Sequence, residues 1–569
     1  MRRWSRWRLL CLVLFAASTA SAAGDEREHV DLAAMQRIRA EALTRGQVAE
    51  HLFWLTDANG PRLTASSGWQ RAADWAVRTL RGWGASNPRL EPWGTFGKSW
   101  SSSRATVELA APVSAALRGY ALAWCGATPG PVTAEPVLAP LGSETEFDDL
   151  RDASKLRRHI RDFEAVWRGK LKGKLVLMDP PRDMEPPLKE PAAHRFDATK
   201  LAELAAEIDP TPPPQWEWPL ESIPSEKTKR MAFFRAIPSE VTADYFARLA
   251  GIKLELWDFL VKEGVAGVLV TDRRGDGGVV FAESTGAYFA DAITPPPVMV
   301  LTPESYNRVV RLVEHGLAPR LTLDVQVHVD RKDAPGHTVV AEIPGGKKAD
   351  EVVMLGGHLD SWFTGTGATD DGAGCAVALE AFRILKTLKL PMARTVRIAL
   401  WDGEEQGLFG SRGYVKQHFG DPVTMKLKPE HRTLAAYFNV DDGAGRIRGV
   451  YLQGNGMVRP IFDSWMMPLR DLGVTTLTNR DTRGTDHLSF DAVGLPAFQF
   501  IQDPLDYSTR THHSELDTFD HAPAGDMMQA AAVLASFVYD AATRPEMLPR
   551  KPLPAPLPAK HEPRLSAPR

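Results

Sequence analysis

From Thr338 onward the chain alternates short apolar runs with longer amphipathic ones. The runs Glu351–Leu355, Thr395–Trp401, Leu434–Val440, Val450–Gln453 and Ala497–Ile501 read as strands. Between and after them, Gly374–Leu388, Gly407–Phe419, Val458–Leu472 and Asp526–Ala542 repeat apolar residues at helical spacing. Such alternation predicts an α/β fold, a central, mostly parallel mixed sheet flanked by helices. Ligands of such sheets bind beyond the carboxyl ends of the strands. Residues 30–93 read as helical, with the amphipathic stretch Trp69–Leu80 ending near Gly82. The middle of the chain changes character. Tyr120–Trp124, Lys174–Met178, Val265–Val270, Val298–Leu301 and Leu321–Val327 predict a β-rich domain. A Pro-rich, charged stretch from Pro180 to about Pro238 interrupts it, and its segment 210–214 is expected as loop.

The first residues predict an export signal. Arg2, Arg3, Arg6 and Arg8 precede the apolar run Leu9–Ala17, and Ala20-Ser21-Ala22 offers a small-residue cleavage site. The apolar run is shorter than the ~20 residues of a spanning helix, so no stable membrane anchor is expected and the mature chain would be secreted or periplasmic. Cleavage after Ala22 leaves 64 basic against 71 acidic residues, a net charge of −7, which argues against a nucleic-acid partner. Cys125 and Cys375 would remain, too few and too far apart for a disulfide scaffold. The tail 544–569 carries eight prolines and is expected to be disordered.

Five polar clusters end the strand runs or lie in the loops beyond them. They are Gly356–Trp362, Gly367–Gly374, Trp401–Gly407, Asn439–Gly443 and Thr511–Thr518. Singly, each reads as a turn or a solvated surface. Together they bring two histidines and at least three carboxylates to one end of a sheet, the ligand types that zinc accepts. A carboxylate bridging two ions, with one His and one carboxylate more per ion, would make a two-metal site with the ions about 3.5–4 Å apart. In Glu404-Glu405, one carboxylate can bind metal while its neighbour takes a proton from the attacking water. Asp360, two residues beyond His358, is expected to accept that histidine's other ring N–H.

The clusters Gly357–Trp362, Gly367–Gly372, Glu404–Gly407 and His512–Ser514, in this order, resemble the M28 family of zinc peptidases, and within it the carboxypeptidase Q-like group. The likeness is close over about 338–543 and extends to Gly60–Ser66. The middle region, through Trp167–Lys174 and Gly264–Val270, resembles a protease-associated (PA) domain inserted into the catalytic one. The domains implied are a catalytic N-terminal part (30–105), the insert (106–332) and the main catalytic part (333–543). The resemblance implies two zinc ions, with cobalt or manganese as substitutes. His358 and Asp441 would hold one, His513 and Glu405 the other, and Asp370 would bridge them. Glu404 would be the base. The family also implies a cis peptide after Asp370, and a pocket loop at Thr485-Asp486-His487. His512 is expected as a pocket residue or a support to the metal ligands, and Trp362 as a pocket lining or a buried structural residue. The implied activity is hydrolysis of small peptides, as an aminopeptidase or dipeptidase, with a carboxypeptidase or an inactive receptor-like protein as alternatives. A homodimer is the candidate assembly.

Overall fold

In the computed structural model, residues 28–143, 149–184, 191–208 and 214–560 are described. The export signal at 1–22 and the proline cluster at 210–213 lie outside them. The apolar runs beyond Thr338 form the middle of an eight-stranded sheet. Its order is Ser86–Gly97, Ala334–Ile343, Arg394–Trp401, Lys348–His358, Leu434–Asn439, Ala497–Gln502, Ile447–Tyr451 and Thr476–Thr478. Four of the seven adjoining pairs are parallel, and these include both neighbours of the strand ending at His358. Strands buried on both faces read as unbroken apolar runs, which is why these were legible. Helix Ala373–Leu388 covers one face with helix Ala524–Thr543 and the N-terminal helices Leu32–Arg45 and Val48–Leu55. The other face packs Trp401 and Tyr437 against Tyr414, Phe419 and Phe490.

Helix Ser67–Gly82 is capped by Ser66, whose hydroxyl accepts from Trp69 N–H, and it ends where expected. The chain then departs from the predicted helix. Residues 86–97 form an edge strand antiparallel to 334–343. Pro88 and Pro92 remove two backbone donors, which an edge strand tolerates and a helix does not.

The chain leaves this sheet at Gly97 and returns at Ala334. Between them lie a four-stranded sheet built on Ser101–Ala111 and Arg320–His328 and a five-stranded sheet centred on Gly267–Thr271. This insert is less β-rich than its sequence suggested. It also carries helices Ala153–Trp167, Ala198–Ala205, Lys227–Ala236, Ser239–Glu263 and Pro303–Glu314. The 25-residue helix Ser239–Glu263 buries Val241, Tyr245, Leu249, Ile252, Leu256 and Leu260, and stops at Gly264 in the left-handed conformation (φ 71°). That three-to-four-residue spacing is a helical signal, masked in the sequence by the neighbouring prolines and charges.

Part of the Pro-rich stretch crosses back onto the sheet domain. His194 N–H donates to Leu505 O (3.0 Å), and Thr509 Oγ1 donates to Ala192 O (2.6 Å). Arg195 pairs with the buried carboxylates of Asp526 (2.6 Å) and Asp503 (3.1 Å). Within the expected Pro-rich tail, residues 544–560 form no helix or strand but contact the body of the protein through side chains, and 561–569 lie outside the described residues. Leu548 is buried, Arg550 donates to the carbonyls of His431 (3.1 Å) and Leu434 (2.7 Å), and Lys551 donates to Gln453 O (2.7 Å). Prolines bar regular structure without barring such side-chain anchors. Among the described residues, no helix is long and apolar enough to cross a membrane.

Candidate metal centre

Parallel strands send their carboxyl ends to one side of the sheet, and the polar clusters meet there. His358 is the last residue of its strand. Glu404 and Glu405 follow strand Arg394–Trp401, and Asp441 follows strand Leu434–Asn439. Asp370 lies in the turn leading into helix Ala373–Leu388, and His513 in the loop beyond strand Ala497–Gln502. Two close approaches set this packing. A Cβ on Gly374 would stand 2.0 Å from Val440 O, and one on Gly357 would stand 2.3 Å from Asp371 Oδ2.

His358 Nδ1 lies 2.9 Å from the main-chain oxygen of Asp360 and donates to it. Its Nε2 is thereby left to face Asp370 Oδ1 (3.2 Å), Asp441 Oδ1 (3.5 Å) and Glu404 Oε2 (3.9 Å). His513 mirrors it. Nδ1 meets Glu283 Oε1 at 2.8 Å, and Nε2 faces Glu405 Oε2 (3.1 Å) and Asp370 Oδ2 (3.2 Å). The two oxygens of Asp370 therefore address two different imidazoles. The Asp370–Asp371 peptide is cis, as the resemblance implied.

A cation fits this donor set. Asp370 Oδ2 and Glu405 Oε1 are buried without a hydrogen-bond partner. Ligand atoms of His358, Asp370 and Glu405 lie within 4.8 Å of one another, as do those of Asp370, His512 and His513 and those of His358, Asp371 and Asp441. In that last group, the Asp371 oxygens already accept from His358 N–H (3.2 Å) and Gly374 N–H (3.0 Å). His512 stands farther off, with Nε2 3.8 Å from Asp370 Oδ2 and its ring tilted by 32° to that of His513, 3.7 Å between ring centres.

The charges compensate one another. Burial disfavours the cationic form of His358, but the Asp441 and Glu404 carboxylates outweigh it and hold the imidazole well above its usual range. At His513, Glu405 and Glu283 outweigh burial in the same way. Burial and the neighbouring acids push Glu404 well above the carboxylate range, and Glu405 to about 7. Asp442, beside the donors, is raised to about 7 by burial, Asp441 and Asp370.

Asp360 is brought to the site, but not in the expected role. Its carboxylate is 3.7 Å from His358 Nδ1, and the main-chain oxygen takes that ring proton instead. The carboxylate accepts from the backbone N–H of Glu404 (3.2 Å) and Glu405 (3.3 Å) and from the Thr64 hydroxyl (2.9 Å). It thus anchors the Glu404-Glu405 turn. Trp362 is buried, edge-on to His513 (5.8 Å between ring centres) and to Trp124. Asp486 is fully buried and raised to about 8, chiefly by burial. It precedes the short helix His487–Asp491, and its backbone N–H donates to the Thr485 hydroxyl (2.7 Å), which in turn accepts from Asn439 Nδ2 (2.7 Å).

Three groups escaped the sequence reading. The buried guanidinium of Arg62 donates to the carbonyls of Leu359 (2.6 Å), Thr366 (2.8 Å), Gly367 (2.8 Å) and Leu55 (3.2 Å). It ties the His358 loop to the Asp370 loop. Asp517 accepts from Thr369 N–H (2.5 Å), joining the Asp370 loop to the His513 loop. Glu283 comes from the insert, 230 residues before His513, and only the fold brings the two together.

Residues 338–538 match the profile of peptidase family M28. Carboxypeptidase Q of Xenopus laevis is 32% identical over 272 residues, which cover 48% of this chain and 55% of that protein. The chain thus spans about half the length of the curated relatives it matches. A peptidase M28 precursor from Shewanella amazonensis SB2B superposes with a TM-score of 0.61 at 23% identity, covering 92% of this chain and 98% of that one. The zinc aminopeptidase BSAP from Bacillus subtilis gives 0.53 at 16% identity, covering 88% and 95%. At these identities the two structures establish a shared fold.

Proposed function

We propose that this chain belongs to peptidase family M28, whose profile residues 338–538 match, and that it is a metal-dependent exopeptidase acting on small peptides. The observation that carries the reading is Asp370, a buried carboxylate whose two oxygens face His358 on one side and His513 on the other, with Asp441 and Glu405 alongside. His358 and Asp441 would hold one zinc ion, His513 and Glu405 the other, and Asp370 both; cobalt or manganese would substitute. When bound, such ions polarise the scissile carbonyl and acidify a water held beside it.

The chain's own residues do the rest. The Nδ1 protons of His358 and His513 are engaged by Asp360 O and Glu283, which leaves each Nε2 to bind. Glu404 stands beside the donors, on a turn fixed by Asp360. Its carboxylate takes a proton from the attacking water and delivers it to the leaving nitrogen. Burial raises Glu404 above the ordinary carboxylate range, which makes it a stronger proton acceptor than a solvated carboxylate.

The preferred substrates are dipeptides or peptides with a free amino terminus, whose positive charge suits the carboxylates gathered around Asp370, Glu405 and Asp441. The second reading is a carboxypeptidase, favoured by relatives named carboxypeptidase Q. The domain organisation proposed is a catalytic domain of 30–105 and 333–543 carrying a PA-like insert, exported by the segment 1–22. One panel of unblocked dipeptides, aminoacyl anilides and N-blocked peptides, assayed with and without chelator, tests both. Activity that survives chelation refutes the metal reading, and activity confined to N-blocked peptides selects the carboxypeptidase. Glu404→Gln should retain metal and lose most turnover; full turnover would remove Glu404 as the base.

A further inference from the structure

The insert does more than sit beside the catalytic domain. Its strip 279–286 runs along the loop that carries His513. Ala282 N–H donates to His513 O (3.1 Å), and the next residue, Glu283, accepts the His513 ring proton (2.8 Å). Two consecutive insert residues therefore hold the main chain and the ring of one metal-binding candidate. Phe281 and Ser514 form a β-bridge, and Val280 N–H donates to Glu515 Oε2 (2.8 Å). Arg118 of the insert donates to the other oxygen of Glu515 (2.7 Å). Glu283 is itself held: Arg274 Nη2 donates to its Oε1 (3.0 Å) and lies over the Phe281 ring, 4.6 Å from its centre. Arg510, three residues before His513, pairs with Asp276 of the insert (2.6 Å). His513 has a positive φ of 66°, a conformation uncommon outside glycine that the surroundings must maintain.

We propose that the insert completes the metal centre: Glu283 is a positioning residue for His513, and docking of the strip 279–286 is coupled to metal binding at the His513–Glu405 end. An imidazole whose Nδ1 proton is fixed by a carboxylate presents Nε2 as the ligand in a set orientation, and removing such a partner lowers metal affinity by about 10–100-fold. Coupling is reciprocal, so the ion that gains affinity from docking must also stabilise docking. The inference rests on the two-metal reading above. It adds that the two metal positions differ, because the partner of His358 is a main-chain oxygen of its own loop whereas the partner of His513 belongs to the insert.

The test uses the full chain and two variants, Glu283→Ala and the size-matched Glu283→Gln. Apo protein is titrated calorimetrically with zinc, the cobalt-loaded visible spectrum is recorded, and amide exchange of 279–286 is followed with and without zinc. Wild type should bind in two steps, with slower exchange of the strip on loading. Glu283→Ala should weaken one step by about 10–100-fold, leave the other within about threefold, alter the cobalt spectrum and abolish the zinc-dependent protection. Glu283→Gln, which keeps an acceptor oxygen, should fall between. Wild-type affinity at both steps in both variants overturns the proposal, and so does an equal loss at both steps with a lowered apo melting temperature. Wild type that binds no zinc would instead sink the metal-centre reading itself.

Discussion

Asp360 offers the sharpest test of how the site is built, because its expected and observed roles predict different defects. In Asp360→Asn the main-chain oxygen that accepts from His358 is untouched. What changes is the anchor of the Glu404-Glu405 turn. The carboxylate serves Glu404 N–H through one oxygen, and Glu405 N–H and the Thr64 hydroxyl through the other. Asparagine has one acceptor oxygen, so one side of this arrangement must face an NH₂ group. A hydrogen bond to a charged acceptor contributes about 1.5–3 kcal/mol, and a buried donor left unpaired costs about 1–3 kcal/mol. The two figures describe overlapping effects, so the expected destabilisation is about 2–4 kcal/mol. That is a large part of a stability of about 5–15 kcal/mol, but not all of it. Misplacing a reacting group by about 1 Å can cost about 10²-fold in rate. Turnover of a dipeptide at saturating zinc should therefore fall by about 10²-fold, while affinity at the His358 end stays within about threefold. Steady-state kinetics at graded free zinc, with indicator competition for affinity, separates the two. Wild-type turnover at saturating zinc combined with tenfold weaker binding would mean that Asp360 acts on His358 after all, and the reasoning would be refuted.

Other outcomes follow from the same contacts. Arg62→Met should strip donors from four carbonyls at about 1–3 kcal/mol each, enough to prevent stable folding, whereas Arg62→Lys should keep part of the network; a wild-type melting temperature for Arg62→Met would refute this. Gly374→Ala should destabilise by about 1–3 kcal/mol or more, because its methyl meets Val440 O and the Asp371 carboxylate, and thermal unfolding reads the loss. Metal binding should release protons. His358 and His513 are held above their usual range and must be neutral to bind, so affinity rises with pH through the neutral region; calorimetry in buffers of different ionisation enthalpy should find at least about one proton released near pH 7, and none would refute the assignment.

The candidate site is legible in the sequence because its polar residues are concentrated at strand ends. His358, Glu405 and Asp441 each follow an apolar run long enough to declare a buried strand, and a parallel sheet then brings those ends together. The edge strand 86–97 was hidden because it is only half-buried, so no apolar alternation marks it. Helix Ser239–Glu263 did carry a periodic signal, which Lys253, Glu255 and Asp258 on its other face obscured. Glu283 was illegible for another reason. Nothing local distinguishes it, and its meaning depends on a partner 230 residues away. Asp360 shows the limit of spacing: two residues from a histidine is the right distance, but the main chain met the ring first.

The edge strand also bears on how the protein is made. Ser86–Gly97 pairs with Ala334–Ile343, and everything between belongs to the insert. A ribosome must therefore deliver more than two hundred residues before that strand finds its neighbour. Pairing so distant in sequence is slow, because the loop must close before the contact stabilises anything. Domains tend to fold as units during synthesis, so the insert has the opportunity to form first and hold both ends of the loop near each other. The inserted segment would then act as a folding clamp for the eight-stranded sheet, and mutations that unfold it should first show as lost yield of the assembled protein.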